Sequence, residues 1–180
     1  MGPDARGLAD DRYVEMRKLA AARRVIDACS ARHLMVATAE SCTGGLVVAA
    51  LTEIAGSSAV VAAGFVTYSN DAKHTTLGVP LETLQQHGAV SRATALAMVD
   101  GVLTRSPVDL AVAVTGIAGP GGGSPEKPVG LVYFAAATRS GERRAKEVRY
   151  GDIGRAGVRR RSVEVALAML EEMALTYAVP

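Results

Sequence analysis

Apolar runs of strand length alternate along the chain with segments whose apolar residues recur at helical spacing. The pattern predicts strands at 34–38, 60–68 and 109–114, and a hairpin formed by 129–138 and 143–150. Caps and glycine stops place helices at about 10–31, 45–54, 69–78, 80–88, 91–103 and 155–177. The order of these elements indicates an α/β protein.

Helices on both sides of the strands in sequence favour a three-layer α/β/α sandwich. The run at 109–114 is apolar at nearly every position, as expected of a strand buried on both faces. The hairpin requires at least one antiparallel pair, so we expect a mixed, mostly parallel sheet. We expect residues 1–10 to be a loose N-terminal segment and 11–180 to form a single domain.

Composition narrows the possible partners. The net charge is only +2 and aromatic residues make up 4%, which argues against a nucleic-acid partner. The basic clusters Arg143-Arg144 with Lys146, and Arg159-Arg160-Arg161, are predicted to be solvated faces. No apolar run reaches the ~18 residues of a membrane span, and the N-terminus has no signal-peptide core. We therefore expect a cytoplasmic protein without a membrane partner.

Metal ligands are sparse in the sequence. Cys29 and Cys42 do not form a C-x-x-C pair, and the three histidines lack the spacing of a zinc site. We expect no metal and no cofactor.

Three segments rich in glycine and hydroxyl groups follow predicted strands, at 39–45, 67–73 and 115–125. The carboxyl ends of parallel strands line one crevice, where α/β proteins bind ligands. The three segments are therefore predicted to converge if their strands are parallel neighbours.

The first of these segments, Thr-Ala-Glu-Ser-Cys-Thr-Gly-Gly at 38–45, carries the candidate nucleophile Ser41. A strand that turns into a helix here would bring the N–H groups behind Thr43, Gly44 and Gly45 near a developing oxyanion. Ser41 could equally be an ordinary helix cap. Cys42 is an alternative nucleophile, or simply a buried thiol.

The second segment offers the candidate base Lys73, which could act only if its pKa were lowered towards neutrality. His74 is a rival, although neighbouring helical residues point in different directions. Tyr68 could orient the lysine, and Glu40 could be a second acid or just a polar residue ending a strand. Thr115 opens the third segment, whose glycines allow close approach of a ligand.

Taken together, these motifs resemble the CinA C-terminal domain family, whose stand-alone members are nicotinamide-nucleotide amidohydrolases. The matching text covers the chain from about residue 14 onwards: Thr-Ala-Glu-Ser-Cys-Thr-Gly-Gly at 38–45, Ile-Ala-Gly-Ser-Ser at 54–58, Gly-Phe-Val-Thr-Tyr-Ser-Asn at 64–70 with Lys73, His-Gly-Ala-Val-Ser at 87–91, Thr-Gly-Ile-Ala-Gly-Pro at 115–120 and Glu-Lys-Pro-Val-Gly at 126–130.

The resemblance implies hydrolysis of the carboxamide of nicotinamide mononucleotide, a step of NAD salvage, by a Ser41–Lys73 dyad supported by Tyr68 and Thr115. It also implies a substrate-binding set: Thr43, Gly44, Gly45, Asn70, Gly116, Gly119 and Arg155. The family carries Gly-Asp-Arg before its last helix. Here two extra residues, Ile153 and Gly154, stand between Gly-Asp and the arginine, so the resemblance gives that arginine's role to Arg155. A non-catalytic nucleotide-binding module, or a regulatory module linked to competence or DNA damage, is the alternative. A homodimer is the expected assembly.

Overall fold

The strands and helices build one mixed sheet with helices on both faces. The computed structural model describes residues 5–178, with side chains from residue 15 onwards. The strands are β1 (Val36–Glu40), β2 (Val61–Val66), β3 (Leu110–Gly116), β4 (Leu131–Thr138) and β5 (Arg143–Arg149). The helices are α1 (Ala5–Ser30), α2 (Leu46–Thr52), α3 (Asn70–Leu77), α4 (Leu81–His87), α5 (Arg92–Arg105) and α6 (Gly154–Thr176), with a 3₁₀ turn at Ser57–Ala59.

The strand order is β2-β1-β3-β4-β5. β1 pairs in parallel with both β2 and β3, whereas β4 is antiparallel to β3 and to β5. The predicted mixed sheet with a parallel core and an antiparallel hairpin is confirmed. Its order places the carboxyl ends of β2, β1 and β3 side by side.

The two faces of β3 show how the layers pack. Leu110, Val112 and Val114 lie in one buried cluster with residues of α1, α2 and α6. Ala111 and Ala113 point the other way and pack with residues of α3, α4 and α5. Successive side chains of a strand face opposite sides, so a strand covered on both faces has a continuous apolar sequence.

The boundaries of two elements differ from the prediction. α1 begins at Ala5 rather than near Asp10, so residues 5–10 belong to a helix, and residues 1–4 of the predicted loose segment lie outside the described residues. Alanine, arginine and leucine in this stretch are good helix formers, which the prediction undervalued. β1 begins two residues later than predicted, at Val36. Over the described residues, no helix combines the length and apolar character that crossing a membrane requires.

The outer strand β5 accounts for one of the basic clusters. Arg143 and Lys146 are exposed there, and Arg143 pairs with Asp100 at 2.6 Å. Charged side chains on an edge strand disfavour pairing with a further strand. The prediction of a solvated basic face is confirmed for this cluster.

Helices α3 and α5 approach so closely at one point that only glycine fits. A Cβ placed on Gly101 would overlap the carbonyl oxygen of Leu77 and lie 2.9 Å from the Leu77 Cβ. Leu77 is in the same helix as Lys73, so this contact helps to fix the helix that carries the candidate base.

Gly101→Ala should lower the free energy of unfolding by about 2 kcal/mol or more, because overpacking against backbone outweighs the gain of ~1 kcal/mol in helix propensity. Chemical denaturation measures the change. Gly157→Ala is the matched control, since a Cβ there meets only the half-exposed side chain of Ile153, at 3.2 Å. Equal effects of the two substitutions would contradict this account of the α3–α5 contact.

Candidate active site

The three segments that follow β1, β2 and β3 meet at one edge of the sheet. The Ser41 amide donates to the Val114 carbonyl at 2.9 Å, and the Thr67 amide donates to the Glu40 carbonyl at 2.8 Å. These bonds continue the two parallel ladders beyond the strand ends, so the predicted convergence is confirmed.

Ser41 and Lys73 come into direct contact at this edge. The Nζ of Lys73 lies 3.0 Å from the Oγ of Ser41. Lys73 reaches the serine from the first turn of α3, whose position is fixed by Ser69, the N-cap that accepts the Ala72 amide at 3.0 Å. Lys73 is 0% exposed and Ser41 is 8% exposed. A hydroxyl and an amine at this distance have the geometry expected of a nucleophile and its general base.

The surroundings of Lys73 favour its neutral form. Burial lowers its pKa from the ordinary 10.5 to about 8, opposed only by a weaker effect of Cys42. Nζ also donates to the carbonyls of Thr67 at 2.8 Å and Tyr68 at 3.3 Å. A neutral amine can use its two hydrogens on these carbonyls and present its lone pair to the hydroxyl of Ser41.

His74, the alternative base, and Cys42, the alternative nucleophile, lie in surroundings that suit these roles less well. The Nδ1 of His74 lies 2.9 Å from the carbonyl of Val79, at the far end of α3. The thiol of Cys42 is buried, and this burial raises its pKa to about 11 despite the nearby cations of Lys73 and Arg159. Cys42 is therefore protonated at neutral pH and a poor nucleophile. The geometry favours Ser41 and Lys73.

The turn after Ser41 is held by the carboxylate of Glu40, which is 1% exposed. Glu40 accepts the amides of Gly45 at 2.9 Å, Val47 at 3.0 Å and Val48 at 2.9 Å, as well as the Thr38 hydroxyl at 3.2 Å. Glu40 thus caps α2 from the preceding strand, a role that its sequence position did not reveal.

The N–H groups of Gly44 and Gly45 were predicted to lie near a developing oxyanion, but in the structure they make other hydrogen bonds. The Gly44 amide donates to the Ser41 carbonyl at 3.1 Å, and the Gly45 amide is held by Glu40. Both glycines have positive φ, 62° and 95°, which explains the residue type. Since both N–H groups are already bonded, the structure does not support them as oxyanion donors.

Tyr68 and Arg155 form an exposed rim beside the Ser41–Lys73 pair. Arg155, in the first turn of α6, donates to the Tyr68 hydroxyl at 3.1 Å and to the Gly119 carbonyl at 3.1 Å. The Tyr68 side chain is 61% exposed, so its carbonyl rather than its hydroxyl contacts the lysine. The two extra residues before Arg155 therefore do not prevent this guanidinium from reaching the site.

The other predicted residues surround the pair in different ways. Thr115 is 1% exposed and donates to the Ala89 carbonyl at 2.8 Å, which ties the end of β3 to the segment before α5. Gly116 is needed for packing, because a Cβ there would lie 2.8 Å from the Leu131 carbonyl. Asn70 is exposed at the start of α3. Thr43 is buried and its hydroxyl has no hydrogen-bond partner within the described part of the chain.

One residue of the site was missed by the sequence analysis. Arg159 was assigned to a solvated basic face, but its side chain is partly buried and donates to the Thr43 carbonyl at 2.9 Å. It lies one helical turn after Arg155, so the i, i+4 spacing of the two arginines was the signal that could have found it. Among the described residues, no three side chains of histidine, cysteine, aspartate or glutamate are grouped as a metal site would require.

Comparison with known proteins assigns the family. Residues 18–174 match the CinA C-terminal domain, and the chain belongs to this family. "Nicotinamide-nucleotide amidohydrolase PncC" of Escherichia coli K12 is 52% identical over 148 residues, which cover 82% of this chain and 88% of the relative. A "Putative competence-damage inducible protein" of Symbiobacterium thermophilum is 50% identical over 155 residues, 81% of this chain, but the chain spans only 36% of that protein.

Solved structures agree with this assignment. The "competence/damage inducible protein CihA" of Agrobacterium tumefaciens superposes with a TM-score of 0.86 at 60% identity, covering 89% of this chain and 96% of that one. A CinA superfamily protein of Klebsiella pneumoniae gives a TM-score of 0.84 at 38% identity, covering 89% and 99%. The fold is therefore shared with its relatives over most of the chain.

Burying Lys73 should make stability depend on pH in a defined window. Between pH 8 and 10.5 the unfolded chain binds a proton at Lys73 that the folded protein does not, so the free energy of unfolding rises with pH. We expect the difference between wild type and Lys73→Met to rise by about 3 kcal/mol across this window, in favour of wild type, and to be flat below it.

Urea denaturation at a series of pH values measures this difference. Lys146→Met is the matched control, because it removes a lysine amine that is solvent-exposed on β5 and leaves the buried Lys73 in place. A flat difference for Lys73→Met between pH 8 and 10.5 would contradict the lowered pKa.

Proposed function

We propose that the protein hydrolyses the carboxamide of nicotinamide mononucleotide to nicotinate mononucleotide and ammonia, as a step of NAD salvage. The observation that carries the proposal is the 3.0 Å contact between the buried Lys73 amine and the Ser41 hydroxyl. The name of the E. coli relative supports the substrate class, because that relative aligns over 88% of its own length.

In the first half of the reaction, Ser41 Oγ attacks the carboxamide carbon while neutral Lys73 takes the hydroxyl proton. The carbonyl oxygen becomes an oxyanion, which backbone N–H groups of the turn after Ser41 stabilise. Collapse of this intermediate breaks the C–N bond. The Lys73 ammonium returns the proton to the leaving nitrogen, which departs as ammonia and leaves an acyl ester on Ser41.

In the second half, a water molecule attacks the ester carbon. Lys73 is neutral again and accepts a proton from this water, and the proton then passes to Ser41 Oγ as the ester bond breaks. The product is a carboxylic acid, which releases its remaining proton to solvent and leaves as the carboxylate. The same amine thus serves both halves, and the carbonyls of Thr67 and Tyr68 hold it in place throughout.

The rim supplies the charge that a nucleotide substrate needs. Arg155 presents an exposed guanidinium beside the Ser41–Lys73 pair, and such a group binds a phosphate through paired N–H donors. Asn70 begins the helix that carries Lys73, and the Gly119 carbonyl accepts a hydrogen bond from Arg155. The predicted homodimer remains a prediction.

Ser41→Ala should abolish ammonia release from nicotinamide mononucleotide, because the substitution removes the nucleophile and leaves the other groups in place. Cys42→Ala is the matched control: it should retain turnover, since it removes a protonated thiol but keeps the backbone amide of that position. A coupled ammonia assay, with mass spectrometry of the nucleotide product, measures both variants, and calorimetry with nicotinate mononucleotide confirms that Ser41→Ala still binds.

Other outcomes would redirect the assignment. Loss of turnover in Cys42→Ala but not in Ser41→Ala would move the nucleophile by one residue. Nucleotide binding by the wild type without any ammonia release would favour a non-catalytic module instead.

A further inference from the structure

Some backbone N–H groups of the Ser41 turn donate a hydrogen bond to a carbonyl or a carboxylate, and others do not. The amides of Ser41, Gly44 and Gly45 each donate to a named acceptor: the Val114 carbonyl, the Ser41 carbonyl and the Glu40 carboxylate. Among the residues that the structure describes, the amides of Cys42 and Thr43 donate to no backbone carbonyl, and the Cys42 amide meets only its own thiol, a weak acceptor. These two amides directly follow the nucleophile in the chain.

The beginning of α2 is unavailable to a substrate anion. Its first N–H groups point to the carboxylate of Glu40, which already brings a full negative charge to that end of the helix. A second anion there would be repelled. The developing oxyanion must therefore be received in the turn, before the helix starts.

On its carbonyl side, the turn is held by a positively charged side chain, in contrast to the negative charge of Glu40. Arg159 donates to the Thr43 carbonyl at 2.9 Å, and the amide of the same peptide group, on Gly44, donates to Ser41 at 3.1 Å. The peptide between Thr43 and Gly44 is thus held at both its oxygen and its nitrogen. Along the chain, the amides of Cys42 and Thr43, which donate to no carbonyl, lie between this peptide and the amide of Ser41, which is bonded to Val114.

We propose that the N–H groups of Cys42 and Thr43 form the oxyanion hole, and that Glu40 is the positioning residue that keeps them in place. The inference rests on the proposed acyl transfer at Ser41. Glu40 acts through the turn and does not touch the reacting atoms. Arg159 assists it by holding the opposite side of the same turn.

The charge of Glu40 is essential to this role. Its two oxygens accept four donors, and a carboxylate offers only acceptors. A glutamine of the same shape would place an amide nitrogen against at least one N–H group, so that two donors would face each other. The turn would then shift, and oxyanion donors act only over a narrow range of distances.

The test uses phosphorylation of Ser41 by a dialkyl fluorophosphate, followed by mass spectrometry of the intact protein. In this step the bond from Ser41 Oγ to phosphorus forms, the phosphorus–fluorine bond breaks, the hydroxyl proton passes to Lys73, and fluoride leaves. The reaction requires the nucleophile, the base and the oxyanion donors, but not the nucleotide pocket. It can succeed even if nicotinamide mononucleotide is not the substrate, so the two proposals can fail separately.

Glu40→Gln should lower the second-order rate of labelling by about 100-fold, measured at a temperature where circular dichroism shows the variant folded. The pH at which the labelling rate is half-maximal should be the same as in the wild type, because Glu40 does not contact Lys73. Thr52→Val, in α2, is the matched control and should label at the wild-type rate, since its hydroxyl bonds the carbonyls of Val48 and Ala49 within the same helix.

A folded Glu40→Gln that labels within roughly threefold of wild type would overturn the inference, and so would a slow variant whose pH midpoint has moved. If Glu40→Gln does not fold, Thr38→Val and Arg159→Met decide: each removes one contact of the same turn and should slow labelling by roughly three- to tenfold. Wild-type rates in both would overturn the inference, as would a wild type whose Ser41 is not labelled.

Discussion

The burial of one amine beside one hydroxyl determines most of what this structure can do. Lys73 is surrounded by protein and touches the Ser41 hydroxyl. Within the part of the chain that the structure describes, its amine donates to two carbonyls and pairs with no carboxylate. Its charged form is therefore destabilised, and roughly one molecule in ten holds a neutral lysine already at pH 7. A lysine in water would be almost entirely protonated and useless as a base. The burial that makes Lys73 a suitable candidate base is itself unfavourable, which is a common compromise between stability and activity.

The fold makes this burial possible by stopping three parallel strands at the same level. β1 brings Ser41, the end of β2 brings the Thr67 carbonyl, and α3 turns back so that Lys73 reaches between them. A second polar arrangement lies behind the first, where Glu40 and Arg159 hold the Ser41 turn from opposite sides. Both arrangements are buried and largely paired, as polar groups in an interior need to be. The proposed nucleophile, the proposed base and the proposed oxyanion donors are thus parts of one hydrogen-bonded unit.

The sequence predicted the order of the elements, the sheet class and the meeting of Ser41 with Lys73. The order of the elements and the sheet class depend on local patterns: apolar runs, caps and glycine turns, each readable within about ten residues. The pairing of Ser41 with Lys73, 32 residues apart in the chain, was implied by the resemblance to the CinA family. The roles of Glu40, Arg159 and the Tyr68 carbonyl could not be predicted in that way, because they depend on contacts between residues far apart in the chain, such as Arg159 with Thr43. The start of α1 was missed for a different reason, since the prediction began the helix near Asp10 and helix propensity alone is a weak signal for the residues before it.

The central claim is that Lys73 titrates well below an ordinary lysine, and it can be measured directly. The chain has only four lysines, at 18, 73, 127 and 146, so selective ¹³C labelling at Cε gives a spectrum that substitution can assign. The account predicts one resonance with a midpoint near pH 8, absent from the spectrum of Lys73→Met. A Lys73 resonance that titrates at its ordinary value of 10.5 or above would contradict the claim that this residue is the base.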